Sequence, residues 1–426
     1  MITRYFQVTW GKQFLNPYST SNIRDKKKDI FWMVLMAMMF FILLLPISSY
    51  TAAVPILIHE WDLNNVQTGA IFSAYLIGYV ISAILIIPLT DRISSGLVLI
   101  LSAMLFTLSH LVFALWVDNI HTAFFVRMIG GVGLVGVYMP GVRLIVDRFP
   151  GKMRGISVGV FVTAQYFANS CSLLISSSLI GTYAWRDAYL IIAFISSIGV
   201  LLALILFSKT INRSSTEESG KFDVKVLRNP SVRYLILGYS LHALNLFSVR
   251  VWLPIFLVSV LISQGISEND ATIEGSTLGG IALLAGSIGP LIGGTMSDRF
   301  GRAVSASYIL TLSALCAFIL GWLVNSPIYI ILIVGSIYSW SVSADSAIYS
   351  TGITEVSPGN KIGSSMALQA TFGLIGGVIG PIIVGGILDF APTSTYWLSG
   401  FSSLGFVAII GILAMQRMRY LNQHDR

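Results

Sequence analysis

Charge is what this chain has least of. Only 11% of its 426 residues are Asp, Glu, Lys or Arg, against about 25% in a soluble domain. That excludes a water-coated globule. With 55% hydrophobic residues and a mean hydropathy of +0.80, most of the chain has lipid as its solvent. No polar stretch is long enough to enclose a core of its own, which excludes a separate soluble domain. Cysteine is nearly missing. The two present, Cys171 and Cys316, fall inside apolar segments, where each reads as a small hydrophobe rather than half of a disulfide. Nothing resembles a hydrolase triad, a metal-ligand cluster, a phosphate loop or a nucleic-acid module. The expectation is no enzyme, no cofactor, no metal and no nucleic-acid partner. With no ATP-binding sequence, uphill movement of a solute must draw on an ion gradient.

What the chain has instead is apolar runs of the roughly 20 residues that cross a bilayer. They fall at 30–58, 67–89, 96–117, 122–142, 155–181 and 188–208, then at 234–262, 272–296, 303–324, 327–349, 362–388 and 395–416. The first starts too late and runs too long for a cleaved signal peptide. Twelve spans result, six on each side of a polar linker at 209–233. Lysine and arginine orient them: 23 of the 26 lie in the tails and on one set of loops, which the positive-inside rule makes cytoplasmic. Only Arg186 falls on the opposite loops, and Arg127 and Arg250 lie within spans. The net charge of +7 thus has a topological reading, with both termini cytoplasmic. The first 28 residues, with their Lys26-Lys27-Lys28 run, read either as a surface-lying amphipathic segment or as a disordered tail held near anionic lipid.

One stretch recurs. Gly294-Thr-Met-Ser-Asp298-Arg299-Phe-Gly301-Arg302 joins the eighth and ninth spans. Ile87-Pro-Leu-Thr-Asp91-Arg92-Ile-Ser-Ser-Gly96 joins the second and third. A charged tight turn repeated at about half the chain length marks two related halves. Glycines let such a turn bend sharply and let helices approach closely. The Asp-Arg pair at a helix end can bond a neighbouring helix terminus in one conformation and release it in another. The plain alternative is a topogenic turn with snorkelling basic residues.

Twelve spans, a six-plus-six division and this motif together resemble the major facilitator superfamily over essentially the whole chain. The family's loop signature, Gly-x-Leu-a-Asp-Arg-x-Gly-Arg, is matched in the second copy at Gly294, Met296, Ser297, Asp298, Arg299, Gly301 and Arg302. The first copy keeps Asp91 and Arg92 but has Ile87, Ser94 and Ser95 where Gly, Gly and Arg are expected. A second signature, Arg-x-x-x-Gly-x-Gly, is matched by Arg127, Gly131 and Gly133. The resemblance implies an all-α membrane protein of twelve transmembrane helices in two pseudo-symmetric six-helix bundles. Their limits would be a cytoplasmic tail 1–29, a bundle 30–208, the linker 209–233, a bundle 234–416 and a tail 417–426. It also implies a gate at Asp91, Arg92, Gly294, Asp298, Arg299, Gly301 and Arg302, with the intact second copy the stronger contact. The family's drug antiporters carry Gly-Pro-x-x-Gly-Gly on helix 5. Here helix 5 is serine-rich, and Gly289-Pro290-Leu-Ile-Gly293-Gly294 sits on helix 8 instead. Trp252-Leu253-Pro254, and Arg127 followed by Pro140, look like members that import organic anions.

Ionisable groups inside the hydrocarbon are expensive and therefore candidate machinery. There are four: Arg127, His242, Arg250 and Asp345. Arg127 shares a face of helix 4 with Gly131, Leu134 and Tyr138, and reads as a substrate or network group or as a structural anchor. Helix 5 carries a polar stripe at Gln165, Asn169, Ser172 and Ser176, which either lines a cavity or bonds neighbouring helices. Tyr50, Tyr75 and Tyr79 are candidate donors to a substrate, with packing as the alternative, and Pro46 and Pro55 bend helix 1. His242 and Asn245 lie near the middle of helix 7, with Arg250 about two turns further out. On helix 10, Tyr338, Ser341 and Asp345 share a face. Asp345 lies about 26 Å from the outer end, which places it near an inner gate. As the sole intramembrane carboxylate it is the candidate proton site, with an inner-leaflet structural role as the alternative; mid-membrane His242 is a second candidate, with a satisfied packing role as its alternative. The glycines and Pro381 of helix 11 offer close packing rather than chemistry.

The expected activity is secondary active transport of a small organic anion by alternating access with proton coupling. The expected partners are the small-molecule substrate, protons and membrane lipid. The expected state is a monomer in a bacterial inner membrane. Proton-driven export of drugs or amphipathic metabolites is the rival on the same fold. A non-transporting membrane sensor or receptor is the rival from another class.

Overall fold

The computed structural model describes residues 23–89, 93–149, 152–208, 223–358 and 361–424. Helices carry the whole architecture, and no strand occurs among the described residues. The first crossing is split into α1 (Ile23–Leu43) and α2 (Ser49–Glu60). Then follow α3 (Asn65–Leu89), α4 (Ser95–Trp116), α5 (Ile120–Arg148), α6 (Lys152–Ile180) and α7 (Trp185–Phe207). After the linker come α8 (Pro230–Ser263), a split eighth crossing of α9 (Glu268–Gly286) and α10 (Gly289–Phe300), and α11 (Arg302–Leu320). The tenth crossing is split into α12 (Ile328–Ala344) and α13 (Ser346–Val356), and α14 (Ile362–Phe390) and α15 (Tyr396–His424) complete the chain. Among the described residues, ten stretches have the length and apolarity to cross a membrane. The other two crossings are the interrupted α1–α2 pair and α3, whose last apolar turns run past the described side chains. The described start of α1 and the end of α15 lie on one face, called here the terminal face; the opposite one is the distal face.

Three crossings expected as continuous helices are interrupted, and each interruption is satisfied by named groups. Between α1 and α2 the turn at 44–48 contains Pro46, which has no N–H to continue the ladder. An unpaired peptide group in hydrocarbon is costly, and neighbours supply the missing partners. The Ser48 N–H donates to Ser172 Oγ at 2.8 Å, and the Ser196 hydroxyl donates to the Leu43 carbonyl at 2.8 Å. Ser49 and Ser176 hydroxyls pair at 2.9 Å. The eighth crossing breaks just before Pro290, and the tenth breaks at Asp345, whose carbonyl accepts from the Ile348 and Tyr349 N–H groups.

Close approach of helices within a half rests on glycine. A Cβ added to Gly131 of α5 would lie 1.8 Å from the Tyr75 carbonyl oxygen of α3, and one added to Gly78 would lie 1.8 Å from that of Met128. These backbones touch, so any side chain at either position forces them apart.

The two halves, α1–α7 and α8–α15, join unevenly. Toward the distal face they share one continuous core. Tyr50, Leu57, Phe113 and Trp185 contribute from the first half, and Trp252, Phe256, Trp397 and Phe401 from the second. Toward the terminal face each half has its own core, around Met36, Phe40 and Phe161 in the first and Ile236, Ile348 and Met415 in the second. The distal seam is closed by α3 on α14 and α6 on α9. Asp389, at the end of α14, caps the N-terminus of α3: its carboxylate accepts from the Asn65 and Val66 N–H groups at 2.9 Å each and from Asn65 Nδ2 at 2.6 Å. A carboxylate on a helix N-terminus meets both orphan donors and the positive end of the dipole. The Tyr396 hydroxyl donates to Asn65 Oδ1 at 2.9 Å, and the Ser73 hydroxyl to the Val378 carbonyl at 2.7 Å.

Candidate functional site

Where the halves part, a small cavity lies between α6, α8, α9 and α12. Tyr166, Asn169 and Ser170 face it from the first half, and Arg250, Ser339 and Ser343 from the second. It holds about 20 Å³, room for a water or two but not for an organic solute, so its walls must part to admit one. Arg250 is held by ring faces: its guanidinium carbon lies 5.5 Å from the Tyr166 ring centre and 5.2 Å from that of Phe247. Among the described residues no carboxylate is within ion-pairing distance of it. A cation against two rings, in a low-dielectric seam and with no counter-charge, attracts an anion. Asn169 lines the same cavity, its Nδ2 donating to the Gln165 carbonyl at 2.7 Å. Gln165 itself does not line the cavity.

The structure divides the polar stripe of helix 5. Asn169 faces the cavity, whereas Ser172 and Ser176 hold the break of the first crossing. Tyr166 and Ser170, one step around the helix from the stripe, complete the wall. Sequence periodicity passed over them because they lie one residue beyond the i, i+4, i+7 positions that the stripe was traced on.

Arg127 lies elsewhere, buried within the first half. Its Nε–H donates to the Ile71 carbonyl at 3.0 Å, and its guanidinium carbon stands 4.5 Å from the Tyr50 ring centre and 5.4 Å from that of Tyr75. Among the described residues its Nη1 and the Tyr75 hydroxyl have no hydrogen-bond partner, while the Tyr50 hydroxyl donates to the Thr68 carbonyl. Tyr79 packs in the terminal-side core of that half. The two arginines that the sequence offered to one substrate therefore occupy separate places. Asn245 and Tyr338 also lie away from the cavity lining. The Tyr338 hydroxyl donates to Asn245 Oδ1 at 2.6 Å, and Asn245 Nδ2 to the Leu404 carbonyl, inside the second half.

His242 and Asp345 meet. Nδ1 of the imidazole lies 2.6 Å from Asp345 Oδ1, with both side chains buried. Neither carboxylate oxygen makes a hydrogen bond to any other described group. The rings of Tyr239 and Tyr349 lie 5.6 and 5.8 Å from the imidazole. The sequence reading set His242 at mid-membrane and Asp345 nearer the inner gate, and this is corrected: they stand at one level. Helix α8 begins before its apolar run, so His242 is about 18 Å from its terminal-face end. α13 continues about 17 Å beyond Asp345. A buried pair whose members can share a proton is a site for proton exchange.

At the terminal face the repeated motif forms a cluster inside the second half. Gly301, at φ +84°, ends α10 and lets α11 begin at once, a conformation side chains disfavour. Arg302 then reaches back, Nη1 donating to Asp298 Oδ1 at 2.6 Å and to Ser297 Oγ. Its Nη2 donates to Glu355 Oε1 at 2.8 Å, tying α10 to the last turn of α13. Glu355 escaped the sequence reading because it belongs to no repeat. Arg299 is exposed, its guanidinium over the Phe300 ring. Gly294 has room beside it. Gly293 is where the helices touch, since a Cβ there would lie 1.8 Å from the Ala344 carbonyl oxygen. Asp91 and Arg92 lie outside the described residues. Among the described residues no cluster of three or more His, Cys, Asp or Glu side chains is placed to hold a metal.

The family profile described as Major Facilitator Superfamily matches residues 36–381 and, again, 257–425. The benzoate transport protein of Acinetobacter baylyi is 23% identical over 401 residues, covering 86% of this chain and 84% of that protein. The quinolone resistance protein NorA of Staphylococcus aureus is 23% identical over 406 residues, covering 90% of this chain and 97% of its own. Among solved structures, a D-xylose-proton symporter superposes with a TM-score of 0.70 at 16% identity, over 91% of this chain and 97% of that one.

Proposed function

We propose that this chain, which belongs to the Major Facilitator Superfamily, carries a small organic anion across the membrane with protons, by alternating access. Arg250 carries the reading: an unpaired cation in the seam between the halves, beside Tyr166, Asn169 and Ser170. A carboxylate bound there neutralises a charge that the protein leaves open. The similarity to a transport protein for benzoate, itself a carboxylate, supports the same substrate class.

The uneven seam supplies the direction of access. With one core shared on the distal side and separate cores on the terminal side, the site opens toward the terminal face when the halves separate. Rocking the halves about the site would break the Asp389 cap and open the distal side. Basic residues concentrate on the terminal face, which by the positive-inside rule supports a cytoplasmic terminal face, in a bacterial inner (plasma) membrane. Protons would exchange at the His242–Asp345 pair, and Arg127 with Tyr50 and Tyr75 would hold the first half together around a fixed charge.

The test is uptake of aromatic and sugar-derived carboxylates into proteoliposomes under an imposed pH gradient. Accumulation that collapses with a proton uncoupler, and that Arg250→Gln lowers at least about tenfold, is the expected result. Undiminished uptake by Arg250→Gln refutes the anion site, and accumulation that survives the uncoupler refutes the coupling. The likeness to a quinolone resistance protein supports a second reading, export of amphipathic compounds. Drug sensitivity of a deletion strain, with normal growth on organic acids, would decide for export.

A further inference from the structure

On the membrane-facing surface a groove of about 490 Å³ opens between α11 and α15. Ser307, Tyr308 and Thr311 line it from α11, and Gln416, Arg419 and Tyr420 from α15. Tyr308 stands about 9 Å from the start of α11 and Arg419 about 8 Å from the end of α15, so the groove sits at headgroup depth on the terminal face.

We propose that this groove holds an anionic phospholipid of the terminal-face leaflet, with its phosphate on Arg419. Neither α11 nor α15 contains an acidic residue, and no described carboxylate pairs with Arg419. The neighbouring Arg302 is already engaged by Asp298 and Glu355. The groove therefore offers a cation and hydroxyls to a phosphate, and no anion to the ammonium of a zwitterionic headgroup. Tyr308 and Tyr420, 66% and 49% exposed, are the amphipathic rings that favour this depth. Above them the surface turns apolar. Leu315 and Leu413 are 54% and 59% exposed, with Phe406 beyond, a track for acyl chains toward the distal face. Polar end, aromatic collar and apolar track run along one axis in the order of a phospholipid.

Thermal unfolding of the purified protein, titrated with phosphatidylglycerol or phosphatidylcholine, tests the site. The native chain should be stabilised by phosphatidylglycerol in preference to phosphatidylcholine. Arg419→Gln should weaken the apparent affinity for phosphatidylglycerol about tenfold, one charge-assisted phosphate contact being lost. Arg419→Lys should retain most of it. Arg228→Gln, an equal loss of charge elsewhere on the terminal face, should leave it unchanged. Equal stabilisation by the two lipids, or an undiminished preference in a folded Arg419→Gln protein, overturns the proposal. So does full stabilisation by tail-less glycerol phosphate, which would show a free-phosphate site instead.

Discussion

The proposed anion site and the proposed proton site share one helix, and their spacing sets how strongly each would feel the other. Arg250 lies eight residues beyond His242 on α8, which is about 12 Å along the axis. A unit negative charge at Arg250 and an added proton on the His242–Asp345 pair attract by about 1.4 kcal/mol at an effective dielectric near 20. That is a tenfold factor in affinity, and linkage makes it reciprocal. Asp345→Asn removes the carboxylate 2.6 Å from His242 at nearly constant volume. In the native protein, carboxylate affinity measured by calorimetry should change about tenfold as the pair fills with protons. In Asp345→Asn it should stay within about twofold across the same pH range. Uptake driven by a pH gradient should fall to the level seen with an uncoupler, while counterflow between equal pools persists, because Arg250 is untouched. A variant that keeps the tenfold pH dependence, or still accumulates substrate, refutes the reasoning.

Other outcomes follow from single contacts. Asp389→Ala removes the cap on α3, a contact worth about 1–2 kcal/mol. In a background lacking Cys171 and Cys316, a Ser170→Cys label site should then react several-fold faster with an impermeant thiol reagent from the distal side; an unchanged rate counts against Asp389 as a seal. Gly293→Ala drives a Cβ into the Ala344 carbonyl, whereas at Gly294 the nearest atom is the Ala347 Cβ at 3.6 Å. The first should lower unfolding stability by about 3 kcal/mol and the second by almost nothing, and equal effects would contradict the packing. Asp298→Asn, which costs Arg302 one of two carboxylates, should reduce uptake more than Asp91→Asn. Equal defects at matched expression would refute that order.

The fold was legible because lipid demands long apolar runs, and those survive in one dimension. The breaks were not, apart from the prolines, Pro46 and Pro290, that lie at two of them. Hydropathy does not register a missing hydrogen bond, and Ser172 and Ser196, which repair the first crossing, look like any serines in a helix. At the site, the sequence singled out Arg250, Asn169, His242 and Asp345 because ionisable or amide groups in hydrocarbon stand out one at a time. It could not say which of them meet. His242 and Asp345 come from crossings 103 residues apart in the chain, and their contact depends on a break that no residue announces. Asp389 carries no signal of its own in the sequence, since its role appears only when the end of α14 lies on the start of α3. Arg127 shows the converse: a conspicuous residue whose neighbours, Tyr50 and Tyr75, enclose it away from the cavity.

The two short helices α10 and α13 run side by side, with Gly294 beside Ala347 at their tops and, at their bottoms, Asp298 and Glu355 both held by Arg302, the first residue of α11. Each is joined to its upper partner only through an interruption, and one of those interruptions is Asp345 itself. Mechanically this is a lever with its fulcrum at the carboxylate. Its arm is about 17 Å long, so a rotation of about 10° at the fulcrum moves its tip by about 3 Å. On the proposed mechanism, a shift of a few tenths of an ångström at the His242–Asp345 pair would thereby be geared up to the width of a side chain at the membrane surface.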